Sequence, residues 1–241
     1  MDLPVASILT VLKEGELTVR GEFLWGSNYT FLADAQHGDL TLQAVYKPTR
    51  GERPLWDFPS ATLAGREVAA YRVSEGLGWG LVPPTVLRSE GPLGSGSLQL
   101  YVEHDPEYHY FSFTKKDRRR LNVVALFDSL VNNADRKGSH VLFDPSGKLW
   151  LIDHGLCFHV DHKLRTVIWD FAGEPFPEEL CESLKHFRQN LTPPSRQVSE
   201  LEEYLDPDEI RALAYRADRL LASGRFPNPN PNRRFQPWPP L

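Results

Sequence analysis

The pattern of apolar and polar positions divides the chain into two parts. Apolar and polar side chains alternate from Leu40 to Lys47, which is the period of a β-strand. Further strands are predicted over residues 16–23, 29–35, 82–88 and 97–103. Helical spacing occurs over residues 4–14 and again over residues 60–74, where Ser60 is the expected N-cap. Residues 1–104 are therefore expected to form a β-rich N-lobe with one main helix.

From residue 105 onward the pattern becomes helical. Helices are predicted over residues 117–131, 177–190, 195–205 and 207–223. Between the first two lies a short hairpin, whose apolar arms flank the turn residues Asp144-Pro145-Ser146-Gly147. Residues 105–225 are expected to form a mostly helical C-lobe. Residues 226–241 are rich in Pro and Asn, so this tail is expected to be disordered or extended along the surface.

Composition and charge restrict the class of protein. The hydrophobic and charged fractions are 41% and 24%, which are ordinary for a soluble globular protein. The net charge of -5 gives no reason to expect nucleic acid as a partner. The two cysteines, Cys157 and Cys181, form no CxxC motif and imply no disulfide framework. With neither a basic signal-peptide start nor an apolar run of membrane-spanning length, we expect a cytoplasmic protein without a transmembrane segment.

The hairpin brings together three residues that are suited to chemistry. Asp135 and His140 precede its first arm, and Asp153 follows its second. Because a short hairpin joins its two ends, these side chains are expected to lie close together. Two carboxylates and an imidazole are costly to gather unless they are hydrogen-bonded or bind a cation. The alternative is a solvated polar turn.

A second pair is predicted in the N-lobe. On its predicted helix, Glu67 has only apolar neighbours at three and four residues, so its carboxylate must be paired or lose its charge. Lys47, at the end of a preceding strand, is the expected partner. A strand lysine paired with a helix glutamate is how protein kinases hold a lysine against nucleotide phosphates. A purely structural salt bridge is the alternative.

Two glycines lie in the predicted turn between the first two strands, at residues 21–28. The turn contains neither a Walker loop nor a Rossmann fingerprint, because it lacks the GK[ST] ending and precedes no helix. A hairpin turn that bends over phosphates would still suit it. Gly26, Ser27 and the backbone amides around them are the candidate contacts.

The order of these features is that of a two-lobed kinase: glycine turn, strand lysine, helix glutamate, loop aspartate and strand-end aspartate. The chain resembles the atypical kinases of the phosphoinositide 3- and 4-kinase-like superfamily, and within it a small bacterial family of uncharacterised substrate. Asp135-Arg136 resembles the Asp-Arg-His opening of their catalytic loop, and Leu151-Ile152-Asp153-His154-Gly155 stands where they carry Asp-Phe-Gly. The resemblance implies an α+β, two-lobed protein-kinase-like fold.

The resemblance also implies roles for the residues around a nucleotide. ATP would bind between the lobes, with Lys47 on its phosphates and Glu67 holding Lys47. The backbone of Val102, Glu103 and His104 would form the hinge that meets adenine.

The remaining implied roles concern the metal and the acceptor. Asp135 would orient or deprotonate the acceptor hydroxyl, and Lys137, where these kinases have His, would stabilise the transferring phosphoryl group. Asp153 and His140 would bind the divalent metal. His140 replaces the usual Asn, and His154 replaces Phe. Imidazole suits Mn²⁺ or Zn²⁺ better than Mg²⁺, so the metal site with His140 would either prefer Mn²⁺ or be weakened. The expected cofactors are ATP with Mg²⁺ or Mn²⁺.

The expected function is therefore ATP-dependent phosphoryl transfer to an unidentified hydroxyl acceptor. Alternatives are a nucleotide-binding pseudokinase, a kinase-fold nucleotidyl transferase, or a metal-dependent hydrolase. The hydrolase would use His140, Asp153, His154, His159, Asp161 and His162. This last alternative has neither an HExxH motif nor a closed ligand spacing. Residues 156–171 carry no strong basic cluster, which favours a small molecule or a protein over a lipid as the acceptor.

Overall fold

The N-lobe is built on one antiparallel sheet. The structure, a computed structural model, describes residues 3–23 and 29–241. The strands are β1 (Glu16–Glu22), β2 (Phe31–His37), β3 (Leu40–Pro48), β4 (Thr85–Arg88) and β5 (Gly96–Leu100). Their order is β1-β2-β3-β5-β4, so β3 lies at the centre and pairs Lys47 with Ser97 of β5. The predicted last strand ends at Leu100, and residues 101–104 continue beyond the ladder.

Two helices accompany this sheet. The first, α1 (Val5–Glu14), packs on the sheet, where Val11 and Leu12 meet Ala44 and Tyr46 of β3. The second, α2 (Leu63–Gly76), packs against β4 and β5 and is buried on nearly all sides. The prediction of Ser60 as its N-cap is wrong, because the N-cap is Thr62. The Thr62 hydroxyl donates to the Pro59 carbonyl and makes no capping hydrogen bond to the helix.

The C-lobe is mostly helical. Its elements are α3 (Lys115–Arg118), α4 (Asn122–Val131), β6 (Val141–Phe143), β7 (Leu149–Leu151), α5 (Glu178–Gln189), α6 (Arg196–Glu202) and α7 (Pro207–Ser223). The main core packs α4 against α7, with Phe127 and Leu130 fully buried. Strands β6 and β7 form the expected antiparallel hairpin. The predicted α+β, two-lobed kinase-like fold is therefore confirmed.

The tail, residues 226–241, is expected from its composition to be either disordered or extended along the surface. It lies extended along the C-lobe. Its Phe235 carbonyl accepts a hydrogen bond from the Thr166 amide at 3.1 Å, and its Pro240 carbonyl accepts one from the Gly138 amide at 2.8 Å. The tail thus contacts the loops that precede and follow the hairpin.

Two further findings concern the described part of the chain. No helix in it has both the length and the apolar character needed to cross a membrane. Both cysteines are free thiols, Cys157 buried and Cys181 partly exposed.

Candidate active site

A cleft of about 360 Å³ separates the sheet from the C-lobe. Its polar residues include Lys47, Glu67, Gln99, His104, Asp135, His140 and Asp153, and its apolar residues include Val45, Leu63, Leu100, Val102, Leu142 and Ile152. The cleft therefore has an apolar surface suited to a flat ring and a charged cluster suited to phosphates and a cation.

Lys47 joins the two lobes across this cleft. Its Nζ lies 2.5 Å from Oε1 of Glu67 on α2 and 3.0 Å from Oδ1 of Asp153 after β7. Burial alone would lower the pKa of Lys47, but the charges of Asp153 and Glu67 outweigh it and raise that pKa. Lys47 is thus a cation at neutral pH, and the predicted pair of Lys47 with Glu67 is present.

Glu67 has a second contact that sequence reasoning did not predict. Its side chain is only 4% exposed, and Oε2 accepts a hydrogen bond from the His154 amide at 2.8 Å. One carboxylate therefore holds both Lys47 and the backbone beside Asp153, so the position of Glu67 sets the geometry of both lobes at the cleft.

Asp153 stands at a bend in the backbone. Its φ of 61° is left-handed, which turns its half-exposed side chain toward the cleft. Burial alone would raise the pKa of Asp153, but the charge of Lys47 outweighs it and lowers that pKa well below the usual range. Asp153 is therefore an ionised carboxylate whose first oxygen is paired with Lys47.

His140 approaches the second oxygen of this carboxylate, with its Nε2 3.3 Å from Oδ2 of Asp153. Burial lowers the pKa of His140 to about 4, so its ring is neutral at pH 7. Nδ1 accepts the Lys137 amide at 3.4 Å, which places the ring proton on Nε2, facing Asp153. Binding of a metal at Nε2 would require this proton to move to Nδ1, which would end the contact with the Lys137 amide.

Asp135 lies in the same cleft, at the start of the loop that leads to β6. Its amide is fixed by the Asn133 side chain at 2.9 Å, and its Oδ2 lies 3.4 Å from Nζ of Lys137. Burial raises the pKa of Asp135, against the lowering effect of Lys137. The Lys137 side chain does not line the cleft and is paired with Asp135.

Two of the three predicted hinge residues line the cleft and the third does not. Val102 and His104 line the cleft, and Nδ1 of His104 contacts the Val102 carbonyl at 2.8 Å. The Glu103 side chain is exposed and does not line the cleft. Gly26 and Ser27 lie outside the described residues.

A buried ion pair that sequence reasoning missed supports the loop that carries Asp135. Arg136 and Asp128 are completely buried and paired at 3.0 Å. Arg136 also donates to the Ile152 carbonyl at 2.8 Å and contacts Nε2 of His154 at 2.9 Å. It therefore fixes the loop that carries Asp135 to the segment that carries Asp153. The signal was available, because Asp128, like Glu67, is a carboxylate in an apolar helix pattern.

The described residues contain no group of three or more His, Cys, Asp or Glu side chains arranged to hold a metal ion. The pair of Asp153 and His140 supplies at most two protein ligands. This suits a cation that takes its remaining ligands from nucleotide phosphates and water, as Mg²⁺ does in kinases.

Comparison with known proteins adds one family model and two sequence relatives. Residues 78–205 match the family model described as phosphatidylinositol 3- and 4-kinase. Protein Rv2133c of Mycobacterium tuberculosis is 41% identical over 264 residues, which cover 95% of this chain and 94% of that protein. Phosphatidylinositol 4-kinase gamma 4 of Arabidopsis thaliana is 30% identical over 148 residues, which cover 50% of this chain and 26% of that enzyme.

Solved structures share the fold at low identity. The Golgi casein kinase with Mn/ADP bound has a TM-score of 0.60 at 17% identity, covering 91% of this chain and 75% of that chain. The hydra Fam20 structure with sugar has a TM-score of 0.56 at 15% identity, covering 92% and 88%. The Helicobacter pylori proinflammatory kinase CtkA has a TM-score of 0.51 at 11% identity, covering 89% and 94%.

Proposed function

Because the chain belongs to the phosphatidylinositol 3- and 4-kinase family, we propose that it is an ATP-dependent phosphotransferase that acts on a hydroxyl acceptor with a divalent metal. The kinase-like fold supports the reaction class, and the cleft supports the use of a nucleotide. On this proposal the lobes meet at residue 104, and residues 102–104 form the hinge.

The observation that carries the proposal is the position of Lys47 between Glu67 and Asp153. A structural salt bridge needs one carboxylate. Here the lysine contacts two, one buried on α2 and one half-exposed in the cleft. Lys47 would hold the phosphates of ATP by its charge, and Glu67 would keep it in place. The adenine would lie on Leu142 and Ile152 against the backbone of residues 102–104.

Asp153 and His140 fit a divalent cation by their donor types and by their separation of 3.3 Å. When bound, the metal would neutralise charge on the phosphates. His140 would ligate through Nε2 as the other neutral tautomer, with its ring proton on Nδ1. The glycine turn with Gly26 and Ser27 would cover the phosphates from the N-lobe.

Asp135 would orient the acceptor hydroxyl and accept its proton. Its raised pKa makes its carboxylate a stronger base than an ordinary aspartate. Lys137, held beside it, would place positive charge near the transferring group. Arg136 would act on the reaction only by fixing the position of this loop.

The test is ATP turnover by the purified full chain with Mn²⁺ or Mg²⁺. Label transferred from the γ position of ATP supports a kinase, and label transferred from the α position identifies a nucleotidyl transferase instead. Metal-dependent nucleotide binding without turnover, with either metal and with any acceptor pool, identifies a pseudokinase. We expect Asp135→Ala to lower turnover by about 10²–10⁴-fold with nucleotide affinity kept, whereas Lys47→Met should weaken nucleotide binding.

A further inference from the structure

A second cleft, of about 290 Å³, lies between the loop after the hairpin and the tail. Its lining includes His162, Lys163, Arg165, Arg233 and Arg234, together with two Asn side chains. No Asp or Glu is among the residues that line it. In a chain of net charge -5, this is a local concentration of positive charge.

Most of this charge is not neutralised within the described part of the protein. Lys163 is paired with Asp57 at 3.0 Å. By contrast, Arg165, Arg233 and Arg234 have no described carboxylate within ion-pair distance. The excess positive charge also acts on the neighbouring His162. Burial lowers the pKa of His162, and the charge of Arg233 lowers it further.

Specific contacts hold the tail arginines at this cleft. The Phe235 carbonyl, next to Arg234, accepts hydrogen bonds from the Thr166 amide at 3.1 Å and from Nε1 of Trp169 at 3.2 Å. The rings of Trp169 and Phe235 also pack edge to face. The arginines of the tail are therefore brought to the loop by defined contacts on the neighbouring residue.

The cleft lies beside the proposed acceptor aspartate. The Arg165 amide donates to the Asn133 carbonyl at 2.9 Å, and the Arg165 carbonyl accepts from the Arg136 amide at 3.0 Å. Arg165 thus runs alongside Asn133 and Arg136, which lie on either side of Asp135 in the chain, and its charge acts on the Asp135 carboxylate. A molecule held by Arg165 would extend toward Asp135.

We propose that Arg165, Arg233 and Arg234 form a binding site for a phosphate group, which on the proposed function is carried by the acceptor. Each guanidinium can donate two parallel hydrogen bonds to an oxyanion. Three of them match a doubly charged phosphate with three free oxygens better than a singly charged carboxylate. The acceptor is therefore a phosphorylated molecule, either a soluble one or a lipid with a phosphate-bearing headgroup.

This inference changes the expectation drawn from residues 156–171 alone. Residues 156–171 alone carry too little positive charge to indicate a phosphate site, since two of the three unpaired arginines at the cleft come from positions 233 and 234. Their contribution depends on the tail docking at Phe235, which no local sequence pattern indicates.

The site is tested by titrating the full chain with inorganic phosphate and with pyrophosphate in a calorimeter, at constant ionic strength. We expect the double variant Arg233→Gln, Arg234→Gln to lose about tenfold or more in affinity, and Arg165→Gln to lose a similar factor. The matched control is Arg196→Gln with Arg211→Gln, which removes the same charge from exposed helix positions. The control should bind phosphate like the wild type.

Lys47→Met separates this site from the nucleotide cleft. We expect it to keep phosphate affinity, even if ATP turnover fails in every variant. Phosphate binding that is absent in the wild type, lost in Lys47→Met, or unchanged in the arginine variants overturns the proposal.

A vesicle arm identifies the source of the phosphate. The full chain is sedimented with phosphatidylcholine vesicles that contain or lack phosphatidylinositol phosphate. Recruitment that needs both the lipid phosphate and the arginines assigns the site to a headgroup. Phosphate binding without recruitment assigns it to a soluble acceptor, and recruitment that ignores the arginines contradicts the site.

Discussion

Arg66 of α2 and Glu209 of α7 form an ion pair in the interior of the protein, at a distance of 2.5 Å and 143 positions apart in the sequence. Arg66 also donates to the Cys157 carbonyl at 2.7 Å. Because Glu67 is the next residue on α2, this pair fixes the helix that holds Lys47. The C-lobe thus determines where the N-lobe helix lies.

Glu209→Gln tests this anchor. Removing one partner leaves the Arg66 charge buried without its carboxylate, so we expect the free energy of unfolding to fall by about 3–5 kcal/mol. Urea unfolding measures it. The control is Glu200→Gln, which breaks an exposed pair with Arg196 and should cost less than about 1 kcal/mol. Equal losses in the two variants would show that the pair between α2 and α7 does not stabilise the lobe arrangement.

His140→Asn tests the proposed metal site. An amide oxygen is a harder ligand than imidazole, so the ratio of Mg²⁺-supported to Mn²⁺-supported ATP turnover should rise, by about tenfold. Rates with each metal at saturating nucleotide give this ratio. His186→Asn, on the outer helix α5, is the control and should leave the ratio unchanged. An unaltered ratio in His140→Asn would remove His140 from the metal site.

The sequence was sufficient to predict the pairing of Lys47 with Glu67, because the argument needs only the local pattern around each residue. A carboxylate on an apolar helix face must find a cation, and one strand lysine precedes it. The same rule applies to Asp128, whose buried partner Arg136 lies only eight positions away. The helix and hairpin periods were likewise sufficient to place most elements of the fold.

Contacts between distant segments could not be predicted in this way. Arg66 is a charged residue within a helix pattern, and its partner Glu209 lies at the start of α7. Ser60 has the side chain of an N-cap, but the chain enters α2 two residues later, at Thr62. Such positions are decided by how the lobes pack, which a single sequence does not encode locally.

The buried thiol of Cys157 should make the folded protein less stable at alkaline pH. Burial raises its thiol pKa well above 9.0, so between that pH and the native pKa the folded state keeps a proton that the unfolded state has lost. Burial likewise raises the pKa of Tyr71 to about 12. The free energy of unfolding should therefore fall as the pH rises above about 9, by up to about 1.4 kcal/mol per pH unit for each such group.

Urea midpoints from pH 8 to pH 10.5 measure this fall. Cys157→Ala is expected to be less stable at pH 8 because of the cavity, but to have a shallower slope above pH 9. A thiol reagent at pH 8 should react with Cys181 in the native protein and with Cys157 only after unfolding. A stability that stays constant to pH 10.5 would contradict this assignment.

Strand β5 approaches the backbone of Lys47 so closely at Gly96 that a side chain there has no space. A Cβ at Gly96 would lie 2.4 Å from the Lys47 carbonyl oxygen and 2.8 Å from Cα of Pro48, both backbone atoms of β3. Because backbone cannot move aside like a flexible side chain, Gly96→Ala should push the strands apart and displace Lys47. We expect a loss of about 1–3 kcal/mol in the free energy of unfolding, together with weaker nucleotide binding. Gly15→Ala is the control, since a Cβ there would also meet backbone, 2.5 Å from the Val11 carbonyl oxygen, but Gly15 does not line the cleft. Nucleotide affinity that is equal in the two variants would show that the approach of β5 does not position Lys47.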